Sequence, residues 1–137
     1  MNKTTKNAPA PSFALLIKPS GDFLILDWPT GSREHLRTMY KAIGCDMVAP
    51  VDITDRLIMW VDDEGILNGR AKNVPAYKIG GMFRPLYQNY HGPAVFTGGL
   101  TRDGDTKGLT DRELTALVEA HVNLTVDIPC MRSGDQN

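Results

Sequence analysis

The sequence predicts an α+β fold: a mainly antiparallel or mixed sheet of about five to six strands with two main helices. Three observations carry that reading. The elements run β-β-α-β-β-(α)-β-α-β, and so many adjacent strands suit an antiparallel sheet better than a doubly wound one. Two apolar β-type runs, Phe13–Lys18 and Phe23–Trp28, flank Pro19-Ser20-Gly21-Asp22, which is the chemistry of a hairpin turn. Two later segments place apolar residues at helical spacing behind helix-start residues. With 137 residues, one domain is expected over 13–128, between a polar, disordered leader (1–12) and a flexible tail (129–137).

Pro29-Thr30-Gly31 ends the second strand, and Ser32 is placed to cap a helix over Arg33–Ile43. Leu36, Met39, Tyr40 and Ile43 form its apolar face, and Gly44 suits its C-terminal stop. Met47, Ala49, Val51 and Ile53 alternate with polar residues, predicting a half-buried strand that Pro50 confines to an edge or a bulge. Leu57–Val61 is apolar throughout, so a central strand covered on both faces is expected. Asp62-Asp63-Glu64-Gly65 turns the chain with Gly65 at positive φ, and Ile66-Leu67 is too short for a strand unless it pairs back. Asn73 caps a short helix to about Ile79 with Pro75 in its first turn. Pro93–Gly98 is β-type, and Gly98–Gly108 is a loop. Thr110-Asp111-Arg112-Glu113 is a capping box for a helix bearing Leu114, Leu117 and Val118. Val122, Leu124, Val126 and Ile128 alternate, which predicts a last strand.

Hydrophobic residues make up 42% and charged residues 23% of the chain, as in ordinary globular proteins. The net charge of -1 gives no overall field to attract polyanions. Cys45 and Cys130 form no CxxC or metal-ligand pair, and the longest apolar run near the start, Phe13–Ile17, is too short for a signal core or a membrane span. Two reduced thiols in a cytoplasmic protein without a membrane segment are expected.

No GxSxG, HExxH, P-loop or GxGxxG pattern occurs, so no catalytic residue, metal or cofactor is assigned. Asp103, Asp105 and Gly108 imitate the opening of a calcium loop, but Lys107 puts a cation at a ligand position and Leu114 stands at the twelfth. The acidic triplet Asp62, Asp63 and Glu64 would need burial or coupling to separate its pKa values, and a tight turn is expected to point it into water. His35 and His121 fall beside apolar helix stripes as surface or boundary residues, whereas His91 stands in a loop.

Charge is distributed unevenly along the chain. From Asp46 to Glu64 there are six acids and one base, Arg56; from Ile66 to Gly92 there are no acids but four bases. Arg70, Lys72, Lys78 and Arg84 are interleaved there with Tyr77, Phe83, Tyr87 and Tyr90, and His91 follows. Arg and Tyr are favoured anchors of protein interfaces. Cations beside aromatic faces also suit a nucleotide or a single strand. The plainest alternative is that the aromatics are core and the bases solvated.

The segment Trp60-Val61-Asp62-Asp63-Glu64-Gly65, followed by Leu67-Asn68-Gly69 and then Asn73 and Ala76, resembles the signature of the domain of unknown function 3846 family. His91-Gly92-Pro93-Ala94-Val95-Phe96-Thr97-Gly98 and the loop to Leu109 are similar to its later strand and loop. The resemblance covers about Ala14–Val118. One departure is Asp62, where such proteins more often carry Asn. It implies a small accessory protein of a phage, plasmid or other mobile element in a bacterial cytoplasm, with no activity and no catalytic residues to carry over.

The leading expectation is therefore a non-enzymatic domain that binds a host or phage macromolecule, a protein foremost, through Arg70–His91. The alternatives are a protein that binds or sequesters a nucleotide or single-stranded nucleic acid with the same segment, and a metal-dependent enzyme using the acidic turn. The sequence leaves the partner and the oligomeric state open.

Overall fold

The computed structural model describes residues 10–135, with side chains over residues 10–124; residues 1–9 of the expected leader lie outside the described residues. Strands β1 (Phe13–Ile17) and β2 (Phe23–Asp27) form the expected hairpin, followed by helix α1 (Ser32–Ile43), β3 (Val48–Thr54), β4 (Leu57–Asp62), α2 (Val74–Gly81), β5 (Ala94–Thr97) and α3 (Asp111–Asp135). The strands make one sheet in the order β2-β1-β5-β4-β3, with every neighbouring pair antiparallel. This is an α+β arrangement with five strands. β4 is an interior strand as expected, but β5, four residues long and wholly buried, stands at the centre.

Strand alternation sorts the apolar residues onto two faces. Leu15, Ile17, Met59, Val61, Ala94 and Phe96 pack on one side with Ala76 and Ile79 of α2 and Leu114 and Leu117 of α3. Ala14, Leu16 and Val95 pack on the other with Trp28 and with Met39 and Ile43 of α1. The sheet is thus sandwiched between helices, which explains why its inner strands read as unbroken apolar runs.

Several local expectations are corrected. Gly31, not Ser32, holds the N-cap of α1, and no side chain bonds there. The buried stripe of α1 is His35, Met39 and Ile43, while Leu36 is 47% exposed. The helix is turned this way because His35 stacks on Trp28 with ring centres 4.4 Å apart and donates from Nε2 to the Pro29 carbonyl at 2.8 Å. Met47 lies before β3 and is half-exposed. The strand expected over Val122–Ile128 is not formed, because α3 runs through it to Asp135. The capping box closes as expected, with reciprocal bonds between Thr110 and Glu113. Leu114, Leu117, Val118, His121 and Leu124 then keep a helical stripe facing the sheet, and that packing outweighs the period-two pattern. His121 is a core residue, donating from Nε2 to the Gly21 carbonyl at 2.7 Å and meeting Phe23 edge to face.

The connection from β4 to β5 must leave the sheet, form α2 and return beside its own starting strand. Asn73 makes that return. Fully buried, it accepts the Ala76 N–H on Oδ1 at 3.0 Å as the N-cap of α2. Its Nδ2 donates to the carbonyls of Ile17 at the end of β1 and Gly92 before β5, both at 2.9 Å. Its backbone N–H donates to the Tyr90 carbonyl at 2.7 Å. Asn73→Asp should therefore cost about 3 kcal/mol or more, because a carboxylate keeps the cap but cannot donate to two buried carbonyls. Urea unfolding checks this; a variant as stable as the parent would refute the role given to the amide.

Candidate binding cleft

Beyond β4 the chain makes a tight turn, and Asp62 organises it from inside. Its side chain is buried, contrary to the expectation that the triplet points into water. Oδ1 accepts the Glu64 N–H at 2.9 Å, and Oδ2 accepts Asn68 Nδ2 at 3.2 Å and Arg70 Nε at 3.0 Å. The other guanidinium nitrogens of Arg70 donate to the last carbonyls of α1: Nη1 to Ile43 at 2.7 Å, and Nη2 to Gly44. Gly44 is left-handed (φ 78°), so α1 ends there with its carbonyls turned towards that cation. Asp62, buried, thus supplies the negative charge that faces this half-buried guanidinium.

Two glycines close the turn against the β5 side. Gly65 does not take positive φ as expected; Gly69 does, at 68°. Gly65 is needed for space, since a Cβ there would stand 2.5 Å from the His91 carbonyl oxygen. Gly92 has φ 93°, and a Cβ on it would meet Arg70 Cδ at 2.7 Å. His91 donates from Nδ1 to the Arg70 carbonyl at 3.1 Å. Gly65, Asn68, Asn73, His91 and Gly92, residues that carry the family resemblance, thus join Asp62 and Arg70 in one continuous knot of side-chain and backbone contacts.

The structure divides the aromatic-basic segment. Arg70 is bound into the knot. Tyr77 and Tyr90 pack on the core, and the Tyr77 hydroxyl donates to the Leu86 carbonyl at 3.1 Å. Lys78 is half-buried on α2, and Lys72 is exposed beside a bridge to His91. Arg84 donates to the Asp52 carbonyl at 2.6 Å on β3. Phe83, 48% exposed, lines an apolar hollow of about 280 Å³ with Leu57, Leu109 and Leu117. Tyr87 is 88% exposed. The nine residues therefore do not form one groove.

What the turn does create is a cleft of about 250 Å³ between β3, the acidic turn and residues 88–91. Asp63 and Glu64 are exposed on its wall, Tyr90 and His91 line it, and no Lys or Arg among the described residues does. Ile66 and Leu67 border it, 72% and 83% exposed. Sequence reasoning passed over this pair. The signal was there: two apolar residues between Glu64 and Gly69, in a stretch too short to bury them as a strand. Among the described residues no group of three or more His, Cys, Asp or Glu is gathered to hold a metal ion. Burial pushes the Cys45 thiol up from its ordinary value, which keeps it protonated at neutral pH.

Breaking the knot on one side only should be worse than removing both charges. Arg70→Met should lose about 3–5 kcal/mol, because Asp62 is left buried and unpaired. The pair Asp62→Asn with Arg70→Met should recover part of that loss. Denaturant unfolding of both variants is the check, and equal losses would count against the ion pair.

The family model described as Domain of unknown function (DUF3846) matches residues 12–121. No curated protein and no solved structure matches the chain.

Proposed function

The chain belongs to the DUF3846 family, and we propose that it is a small non-enzymatic accessory protein of a phage or other mobile element that binds a partner protein at the cleft beside the acidic turn. The observation that carries this reading is the pair Ile66 and Leu67, 72% and 83% exposed at the rim. Apolar side chains presented together at a concave surface favour a macromolecular partner over solvent. Tyr87, 88% exposed and next in sequence to the cleft residues Gln88 and Asn89, supplies the aromatic anchor that interfaces favour.

The electrostatics support a protein over a polyanion. Asp63 and Glu64 carry the charge of the cleft, while Arg70 and Arg84, two of the four bases of the segment, are engaged by carbonyls and by Asp62. Asp62 is likewise occupied, which leaves the acidic turn without the coupled carboxylates that a metal-dependent enzyme would use. A cytoplasmic setting in the bacterial host accords with the mobile-element reading, and no helix among the described residues is long and apolar enough to cross a membrane.

The test is affinity capture from host lysate with the parent and with Ile66→Ser/Leu67→Ser/Tyr87→Ala. These exposed changes should leave stability within about 0.5 kcal/mol and reduce recovery of the partner by about tenfold or more. Unchanged recovery overturns the cleft as the binding site. Recovery that disappears on nuclease treatment, with affinity falling steeply in salt, would favour the nucleic-acid alternative.

A further inference from the structure

The two edges of the sheet are built differently. On β3, the Asp63 N–H donates to the Met47 carbonyl. Antiparallel alternation then turns Met47, Ala49 and Val51 towards β4, and Val48, Pro50 and Asp52 outwards. Pro50 has no N–H to offer there, and Arg84 occupies the outward carbonyl of Asp52. Proline and a covered carbonyl are means by which proteins block an edge.

Among the described residues nothing gives β2 such protection. The Lys18 N–H donates to the Asp22 carbonyl and the Trp28 N–H to the Ser12 carbonyl. By the same alternation Leu24 and Leu26 bond inwards to β1, and Phe23, Ile25 and Asp27 present their backbone groups outwards. The strand contains no Pro, Lys or Arg, and Leu24 and Ile25, on opposite faces, are 51% and 50% exposed.

From this geometry we infer that the β2 edge is a homodimer interface, at which β2 of a second copy pairs antiparallel to continue the sheet. A twofold axis at Ile25 sets Ile25 opposite its own copy and Phe23 opposite Asp27 of the copy. All of these face outwards, so each pair makes two N–H···O bonds in register. On one face Ile25 meets Ile25, and on the other Leu24 meets Leu26, which covers the exposed apolar side chains with their like. The one charge, Asp27, is held about 14 Å from its symmetry mate, four residues along the strand. That distance exceeds the Debye length at physiological salt, about 8 Å, so the charges do not oppose pairing. A strand lacking cations and apolar on both faces matches a copy of itself.

The test is the mass of the full chain by light scattering and sedimentation over a wide range of concentration, combined with amide exchange. The parent should have twice the chain mass. Exchange at Phe23, Ile25 and Asp27 should slow as the dimer forms, while Leu24 and Leu26 are protected throughout. Ile25→Pro removes an N–H that the monomer does not use, so it should give a folded monomer with unchanged circular dichroism. Ile25→Lys should weaken the dimer by about tenfold or more and decides the matter if the proline variant does not fold. Ile66→Ser/Leu67→Ser should remain dimeric, which separates this edge from the cleft. A parent that is monomeric throughout, or a dimer that persists in both folded Ile25 variants, overturns the proposal.

Discussion

A single buried amide, that of Asn73, holds the architecture together. β4 and β5 are neighbours in the sheet, yet the chain between them crosses a turn, a helix and a long irregular segment. Such a connection closes only if something draws its two ends together, because loop entropy opposes it. Asn73 caps α2 with its oxygen, holds the ends of β1 and of the β5 approach with its nitrogen, and binds the Tyr90 carbonyl through its backbone. A buried polar group with every bond satisfied specifies geometry, because any shift of one partner leaves a desolvated group unpaired. Here the specified geometry is the meeting of the segment around 90–92 with the start of α2.

The Asp62–Arg70 knot depends on that meeting and extends it to the opposite helical layer. Arg70 reaches across the sheet end to the carbonyls closing α1, while its own backbone carbonyl receives His91. Turn, helix end and β5 approach are thereby fixed relative to one another. The consequence for function is indirect. Because Asp62 is held inside by Arg70 and Asn68, the turn presents Asp63, Glu64, Ile66 and Leu67 from a rigid base, and an acidic, apolar-rimmed cleft results. Pre-ordered surfaces of this kind lose little entropy on binding.

The sheet ends in two edges of opposite character. At β3, Pro50 and Arg84 occupy the outward backbone positions, and the cleft lies on that side. At β2 the outward groups meet no partner among the described residues and are flanked by apolar side chains. A fold with one blocked and one open edge can associate in closed pairs without growing into fibres, since the blocked edge terminates growth.

Local chemistry was legible in the sequence wherever neighbours in the chain are neighbours in space. The β1–β2 hairpin, the capping box at Thr110 and Glu113, the Asn73 cap, the stop at Gly44 and the edge position of Pro50 all depend on contacts within a few residues or on a backbone property. The family resemblance was legible too, because its residues cluster in two patches. Long-range contacts decided the rest. Val122–Ile128 alternates like a strand but continues a helix whose stripe had already met the core. His35 is buried and Leu36 is not, because Trp28, just past the end of β2, folds back to offer a ring to stack on. Asp62 is inside because Arg70 lies beneath Gly92, and the aromatic-basic segment divided because its two core tyrosines and two bonded arginines found partners outside it. Composition and short-range pattern determine which elements form; which face of each is buried, and hence which residues remain to meet a partner, is settled only when distant side chains compete for the same interior.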